Sequence, residues 1–420
     1  MRVLEGKVAY REVLRLSARD HGSNQYPNMN SELRARVQAI VLDVGSRGEA
    51  AVRKYAEEFD GITTDQPLRV PEKDMRAALR AVSPKFIKAL KQAAANVKRF
   101  AEWQKPKSWM RTILPGVNVG QKVEPISGVG CYVPGGRYPL PSSLLMTVIP
   151  AQVAGVKNIA VCSPRPANET LAAGALFGVT QFYRIGGAHA IAAMAFGAAE
   201  GLERIVKIVG PGNKYVTMAK QLVSSQCSID MPAGPTEIVY LAEKGNPAFI
   251  ASDIVAQAEH DPETLPVFIT SSKKLAATVA QAALEMTDAN PIARESLTNN
   301  GVALVAQNHR QAVDWANAIG AEHITVDAPD VTKITTAGSM FIGPYSPQSL
   351  GDYVSGPNHV LPTGNVARYR GGLSVFDFLK IITVQEVTKA GLRRIGPTAI
   401  TLAEAEGLKA HAESVRARLR

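Results

Sequence analysis

Residues 158–217, NIAVCSPRPANETLAAGALFGVTQFYRIGGAHAIAAMAFGAAEGLERIVKIVGPGNKYVT, decide the fold class. Three short apolar runs, 158–162 (NIAVC), 182–185 (FYRI) and 205–209 (IVKIV), have the length and residue types of buried strands. The alanine-rich segments 169–177 and 188–196 between them read as helices. Strand, helix, strand, helix, strand, with helices able to cross over, predicts a parallel sheet. Gly210-Pro-Gly-Asn213 then follows the third run and precedes a helix over 214–224. That placement offers backbone donors at a helix N-terminus to an anion. A second glycine-rich segment, Gly128-Val-Gly-Cys-Tyr-Val-Pro-Gly-Gly136, follows a strand start and could accept phosphates too. Neither spells G-x-G-x-x-G, so the usual dinucleotide fingerprint is absent.

Downstream a second α/β series is predicted. Its strands are 237–242, 266–270 and 302–306; its helices are 247–260, 272–286 and 310–319. The chain therefore reads as two α/β lobes with a boundary near Pro232-Ala-Gly-Pro235. Upstream, the first 110 residues read mainly as helix. Ser83 is placed as an N-cap with Pro84 at the first helical position, and Phe86, Leu90, Val97 and Ala101 recur at helical spacing. The last 50 residues, after Gly371-Gly372, read as helices with an apolar run at 376–382, forming an appendage or arm.

Composition narrows the classes of function. The chain has 420 residues, 46% hydrophobic and 20% charged, enough for sizeable cores and unlike a disordered chain. Its three cysteines, Cys131, Cys162 and Cys227, exclude a disulfide scaffold and a cysteine-based zinc finger. A formal charge of +10 is spread along the chain, densest at 98–111 and 416–420. A solvated amphipathic helix and its exit loop account for the first stretch better than nucleic-acid binding does, and mild basicity also suits an anionic cofactor. No apolar leader opens the sequence, and the most apolar stretch, 144–162, is interrupted by Pro150, Gln152 and Lys157. The expectation is a cytoplasmic protein with no membrane partner.

Three histidine-bearing segments are candidates for chemistry. In Gln257-Ala-Glu-His260 two potential metal donors lie three apart on one helix face, which also fits a polar helix end. In Glu322-His323 an imidazole suited to accept a proton near neutral pH adjoins a carboxylate, although an ordinary solvent-facing strand start reads the same way. Gly351-Asp-Tyr-Val-Ser-Gly-Pro-Asn-His359 is a polar, glycine-punctuated loop of the kind that carries function on α/β scaffolds, or a turn with no role. Cys131 could be the nucleophile of an aldehyde-oxidising enzyme, but nothing near it lowers its pKa, and a small buried hydrophobe is the better reading.

Taken in order, ten segments resemble the histidinol dehydrogenase family. They are GVGCYVPGGRYPLPSSLLM, PAQVAGV, GGAHAIAAMAFG, KIVGPGNKYVT, IDMPAGPTE, SDIVAQAEHDP, AEHITV, TTAGSMFIG, GDYVSGPNHVLPT and AEGLKAH, spanning residues 128 to 411. The resemblance implies a zinc- and NAD-dependent, four-electron oxidation of histidinol to histidine through the aldehyde. It implies one zinc per subunit, held by Gln257, His260, Asp352 and His411. Glu322 and His323 are the implied proton acceptors. Substrate contacts fall on Thr236, Gln257, His260, His323, Asp352, His359, Glu406 and His411. NAD contacts fall on Tyr132, His189 and Asn213.

The fold implied is two Rossmann-like lobes, one inserted in the other. Residues 1–30 form a helical N-terminal segment. Residues 31–125 and 237–365 form the first lobe, and 126–236 the inserted NAD-binding lobe. Residues 366–420 form an arm that crosses to a partner subunit, so a homodimer with shared active sites is expected. There are departures: His189 stands where Gln is common, Thr236 where Ser is frequent and Asp261 where Gly is common. Arg137-Tyr138 matches relatives that oxidise a sulfonated propanediol, whereas Pro141-Ser142-Ser143 and Val384-Gln385-Glu386 match the histidinol enzyme. Histidinol is the expected substrate, with another small polar alcohol as the alternative.

Overall fold

Strands buried on both faces need apolar side chains at every position, and the central runs here have them. The computed structural model describes residues 1–18, 27–135 and 138–420, and of residues 27–30 the backbone alone. Five strands form one parallel sheet in the order Gln181–Tyr183, Asn158–Cys162, Gly128–Tyr132, Lys207–Val209, Ser228–Ile229. Six form another parallel sheet in the order Arg2–Glu5, Val302–Val305, Leu265–Thr270, Glu237–Leu241, His323–Val326, Ser339–Ile342. The fold is mixed α/β with parallel sheets, and both predicted strand–helix series are present within a few residues of their expected ends.

In the six-stranded sheet the pleat sends Val239 and Leu241 to one core and Ile238 and Tyr240 to the other. Helices Gly6–Ser17 and His309–Ile319 cover the first face; Pro247–Ala258 and Lys273–Glu285 cover the second. Leu304 is fully buried in the first of these cores. Leu304→Ala is expected to cost about 2–5 kcal/mol of stability, to be checked by denaturant unfolding.

Four differences from the sequence reading have physical reasons. The N-terminal segment is not only helical: Arg2–Glu5 pairs in parallel with Val302–Val305 and forms the edge of the six-stranded sheet. Residues 31–125 add no strand to that sheet. Helix Pro27–Arg47 instead packs on Gly187–Phe196 and Lys214–Val223, while Glu72–Ala81 packs on Asn168–Leu176 and Pro84–Gln104 on Pro141–Ala154. These helices close both faces of the five-stranded sheet. Of the glycine-rich segment 128–136, the first five residues, Gly128–Tyr132, are a central strand, so most of it is sheet and not loop. The apolar run at 376–382 is not helical: a 3-10 turn at Val375–Phe378 leads into strand Leu379–Val387. That strand is rich in β-branched residues and pairs antiparallel with Val117–Pro125, which pairs in turn with Trp109–Leu114.

Elsewhere the local signals hold. The Ser83 side chain accepts from the Phe86 amide at 3.2 Å and starts helix Pro84–Gln104, with Leu90, Val97 and Ala101 buried. Cys131 is buried, and burial pushes its thiol up to about 12, which leaves no thiolate for nucleophilic attack. Arg137, singled out for substrate choice, lies outside the described residues. Among the described residues no helix is long and apolar enough to cross a membrane.

Candidate functional site

The three histidine-bearing segments converge at the amino-terminal ends of two neighbouring strands, Glu237–Leu241 and His323–Val326. His323 opens its strand opposite Ile238, so Glu322 lies just outside the sheet beside Thr236 and Glu237. Helix Pro247–Ala258, begun by Asn246 as N-cap, ends near the same place with Gln257 in its last turn. The sequence reading carried that helix to 260; it stops two residues earlier, and His260 stands exposed in the turn beyond. Asp352 comes from the short helix Gln348–Tyr353. Gly351 allows that helix its close approach, because a Cβ there would lie 2.6 Å from the Phe341 ring.

Hydrogen bonds tie these groups together. Gln257 Nε2 donates to Asp352 Oδ2 at 3.0 Å. His323 Nε2 lies 3.5 Å from Asp352 Oδ1, and His323 Nδ1 lies 3.9 Å from Glu322 Oε2. The Asp352 carbonyl pairs with His359 Nδ1 at 2.7 Å. The Glu237 amide donates to Glu322 Oε2 at 3.2 Å, and Glu237 Oε1 in turn accepts from the Gly364 amide. The His323 ring stacks on Phe341, with centroids 5.9 Å apart. Among the buried polar atoms of the described residues that lack a hydrogen-bond partner are Gln257 Oε1 and His323 Nδ1. Such orphans are rare and call for a ligand or a catalytic reason.

The electrostatics match a site for proton transfer. Burial pushes the Glu322 carboxyl up to about 8, against the opposing pull of His323. Burial also presses His323 toward its neutral form, but the Glu322 and Asp352 carboxylates outweigh it and raise its pKa. Burial would raise Asp352 as well, yet His323, His359 and His260 hold it below the usual carboxylate range. His359 is lowered, chiefly by burial. A cleft of about 330 Å³ opens beside His323 and His359 and is lined also by Phe341, Ser355 and Asn358. A larger groove, about 570 Å³, runs between Lys207 and the Arg370–Asp377 segment and carries none of the candidate side chains.

The donor set fits a cation. Gln257 Oε1 is a buried amide oxygen with no partner, and it stands beside a carboxylate held below its ordinary pKa. Among the described residues, no three His, Cys, Asp or Glu lie together as a complete metal site. His411 and Glu406 are exposed on the helix pair Lys389–Ala405 and Lys409–Leu419. That pair packs chiefly on itself and on strand Leu379–Val387. Among the described residues neither side chain bonds to Gln257, Asp352, His323 or His359. Thus one chain brings together Gln257, His260, Glu322, His323, Asp352 and His359, next to Thr236, and leaves Glu406 and His411 apart.

The residues expected to meet a dinucleotide lie at the carboxyl ends of the five-stranded sheet. Asn213 caps helix Lys214–Val223, its Oδ1 accepting from the Tyr215 and Val216 amides at 3.0 and 3.2 Å. The Tyr132 hydroxyl accepts from the Gly187 amide at 3.1 Å. His189 is buried, its Nε2 2.8 Å from Asp60 Oδ2, which also accepts from the Gly186 amide. The side chains of Tyr132 and His189 are therefore satisfied inside the protein, and the partly open Pro211-Gly212-Asn213 turn is the accessible part of this group. Sequence reasoning missed Glu237, Phe341 and Asp60. Glu237 carried a signal, a charged residue opening an otherwise apolar strand; the other two carried none.

A sequence model of the histidinol dehydrogenase family matches residues 24–419. A histidinol dehydrogenase from Methanothermobacter thermautotrophicus is 45% identical over 399 residues, covering 91% of this chain and 93% of the relative. One from Geobacillus kaustophilus is 43% identical over 401 residues, covering 92% and 94%. The crystal structure of histidinol dehydrogenase from Elizabethkingia anophelis superposes with a TM-score of 0.92 at 34% identity, covering 100% of this chain and 98% of that one.

Proposed function

This chain belongs to the histidinol dehydrogenase family, and on that premise we propose how its residues oxidise histidinol to histidine with NAD+ as the last steps of histidine biosynthesis. The observation that carries the reading is the meeting of a buried acid–base pair, Glu322 and His323, with an orphaned amide oxygen and a carboxylate on Gln257 and Asp352. Gln257, His260 and Asp352 would hold a zinc ion, with His411 of the same sequence as the fourth protein donor. An N/O donor set of this kind suits zinc, and the ion when bound orients the amino and imidazole nitrogens of the substrate. NAD+ would lie along the turn ending at Asn213, near Tyr132 and His189, and two NAD+ bound in succession would supply the hydride acceptors of the two oxidations.

His323 Nδ1, buried and without a partner, takes the alcohol proton in the first oxidation. The Glu322 carboxylate 3.9 Å away stabilises the imidazolium so formed. Glu322, poised by burial near neutral pH, then takes a proton from the water that adds to the aldehyde carbon. The second hydride leaves the hydrate, giving the carboxylate product. His359, Thr236 and Glu406 contact the substrate and fix its orientation. Keeping the aldehyde bound between the two steps shields it from side reactions.

The arm supports a shared site. Strand Leu379–Val387 and the two helices after it bury few side chains in their own chain, leaving Ile381, Ile382, Leu402 and Leu408 exposed. A homodimer in which each arm reaches the partner's site covers these residues and delivers His411 and Glu406. The whole would then be two Rossmann-like lobes, one inserted in the other, with a crossing tail. Mixing folded His323→Asn and His411→Ala dimers, each nearly inactive, is expected to restore activity after subunit exchange, because one of the two hybrid sites is then intact. No recovery in verified heterodimers would contradict the shared site.

The substrate assignment is tested by comparing L-histidinol with a sulfonated propanediol. Zinc-loaded enzyme is expected to form NADH with histidinol at the higher kcat/KM and to stop when a chelator is added. The opposite preference would move the assignment to the sulfonated alcohol.

A further inference from the structure

Lys220 and Asp230 form an ion pair in which each side chain is only 1% exposed. Taking two charges out of water is costly, and apolar replacement of such pairs is often neutral or stabilising, so stability does not explain its presence. What both members of the pair hold is Gly210. Lys220 Nζ donates to the Gly210 carbonyl at 3.0 Å, and the Gly210 amide donates to Asp230 Oδ2 at 2.7 Å. Both backbone groups of Gly210 are therefore engaged by the pair. Gly210 has a φ of +116°, open to glycine and strained for other residues, and a Cβ there would lie 2.1 Å from the Tyr132 carbonyl oxygen. Gly210 is thus where the strand end at Tyr132, the turn to Asn213 and the buried pair meet.

Asp230 also begins the segment that joins the two sheets. Its Oδ1 accepts from the Met231 amide at 2.6 Å, and its carbonyl accepts from the Arg370 guanidinium. Further along, the Ala233 carbonyl accepts from Thr217 Oγ1 at 2.9 Å, and the Gly234 amide donates to Thr363 Oγ1 at 2.7 Å. The segment ends at Glu237, whose amide holds Glu322. The segment from Asp230 to Glu237 is therefore tethered by hydrogen bonds along its length, between the Gly210 turn at one end and Glu322 at the other.

We propose that the Lys220–Asp230 pair is a positioning device, setting the Gly210–Asn213 turn and the dinucleotide it receives against the segment that carries Glu322. This rests on the reading that the turn receives NAD+. Both side chains are buried, so they act through the backbone they hold, chiefly at Gly210.

The test uses zinc-loaded dimer. Lys220→Met and the charge-balanced Lys220→Met/Asp230→Asn variant are titrated with NAD+, while histidinol binding is measured separately without cofactor. The expected result is NAD+ binding weaker by about ten-fold or more in both variants, with histidinol binding unchanged. The KM for NAD+ should rise in step, and the double variant should melt near the wild-type temperature. Unchanged NAD+ affinity in a folded variant would overturn the proposal while leaving the function intact. Wild-type enzyme that fails to bind NAD+ would overturn the reading of the turn, and the proposal with it. Should neither variant fold, hydrogen exchange in the wild-type protein decides: slow exchange at the Gly210 amide without NAD+ supports a preset turn, and fast exchange refutes it.

Discussion

His323→Asn is expected to lower kcat by about 10³-fold, within the range for removal of a positioned general base. The ring is fixed on three sides: Phe341 stacks on it, Asp352 faces Nε2 at 3.5 Å and Glu322 faces Nδ1 at 3.9 Å. Asparagine keeps polarity at the buried position but carries no basic nitrogen. The KM for histidinol should change much less than kcat, because Gln257, Asp352 and His359 remain. Steady-state NADH formation, with a thermal melt to show that the variant is folded, checks this. A loss of kcat smaller than about 10-fold would remove His323 from the role of base. Glu322→Gln is expected to behave differently. It should slow the first hydride transfer, through loss of the charge beside His323, but stall chiefly at the aldehyde, because the amide cannot take a proton from the attacking water.

Asp352→Ala is the second large effect. The carboxylate has four neighbours to answer for: Gln257 Nε2 at 3.0 Å, His323 Nε2 at 3.5 Å, and the imidazoles of His359 and His260. Removing it frees the Gln257 amide to turn away and removes the one negative charge in the proposed donor set. Zinc affinity should fall by more than the 10–100-fold that loss of a supporting residue costs. The variant should come off a desalting column without metal, while wild type retains about one ion per subunit. Activity should be lost with the metal and return only in excess zinc. Full zinc occupancy in a folded Asp352→Ala protein would exclude Asp352 as a ligand.

The sequence was most legible where chemistry repeats. Apolar runs with alanine-rich helices between them read as parallel sheets, because strands buried on both faces leave no other pattern. Ser83-Pro84 read as a helix start because a cap and a fixed φ act within one turn. Glu322-His323 read as a pair at a strand start, and it is one, but buried rather than facing solvent. That burial comes from Phe341 and the helix bearing Asp352, more than fifteen residues away in the chain.

The errors have a common cause. The run at 376–382 has no local signal for its partner, since Val117–Pro125 lies some 260 residues earlier. Arg2–Glu5 is four residues long and becomes a strand only beside Val302–Val305. Lys220 reads as one more lysine on an amphipathic helix; its burial against Asp230 is set by how that helix packs on the sheet. The separation of His411 from Gln257 within one chain has no local signal, because it depends on how the C-terminal helix pair packs.

The most direct test of the account is to count NADH formed per L-histidinol consumed by the zinc-loaded enzyme. The two proposed bases of distinct role, His323 for the alcohol and Glu322 for the water, predict two NADH per histidinol and histidine as the product. One NADH per histidinol with aldehyde released, or none from folded, zinc-loaded dimer, would contradict it.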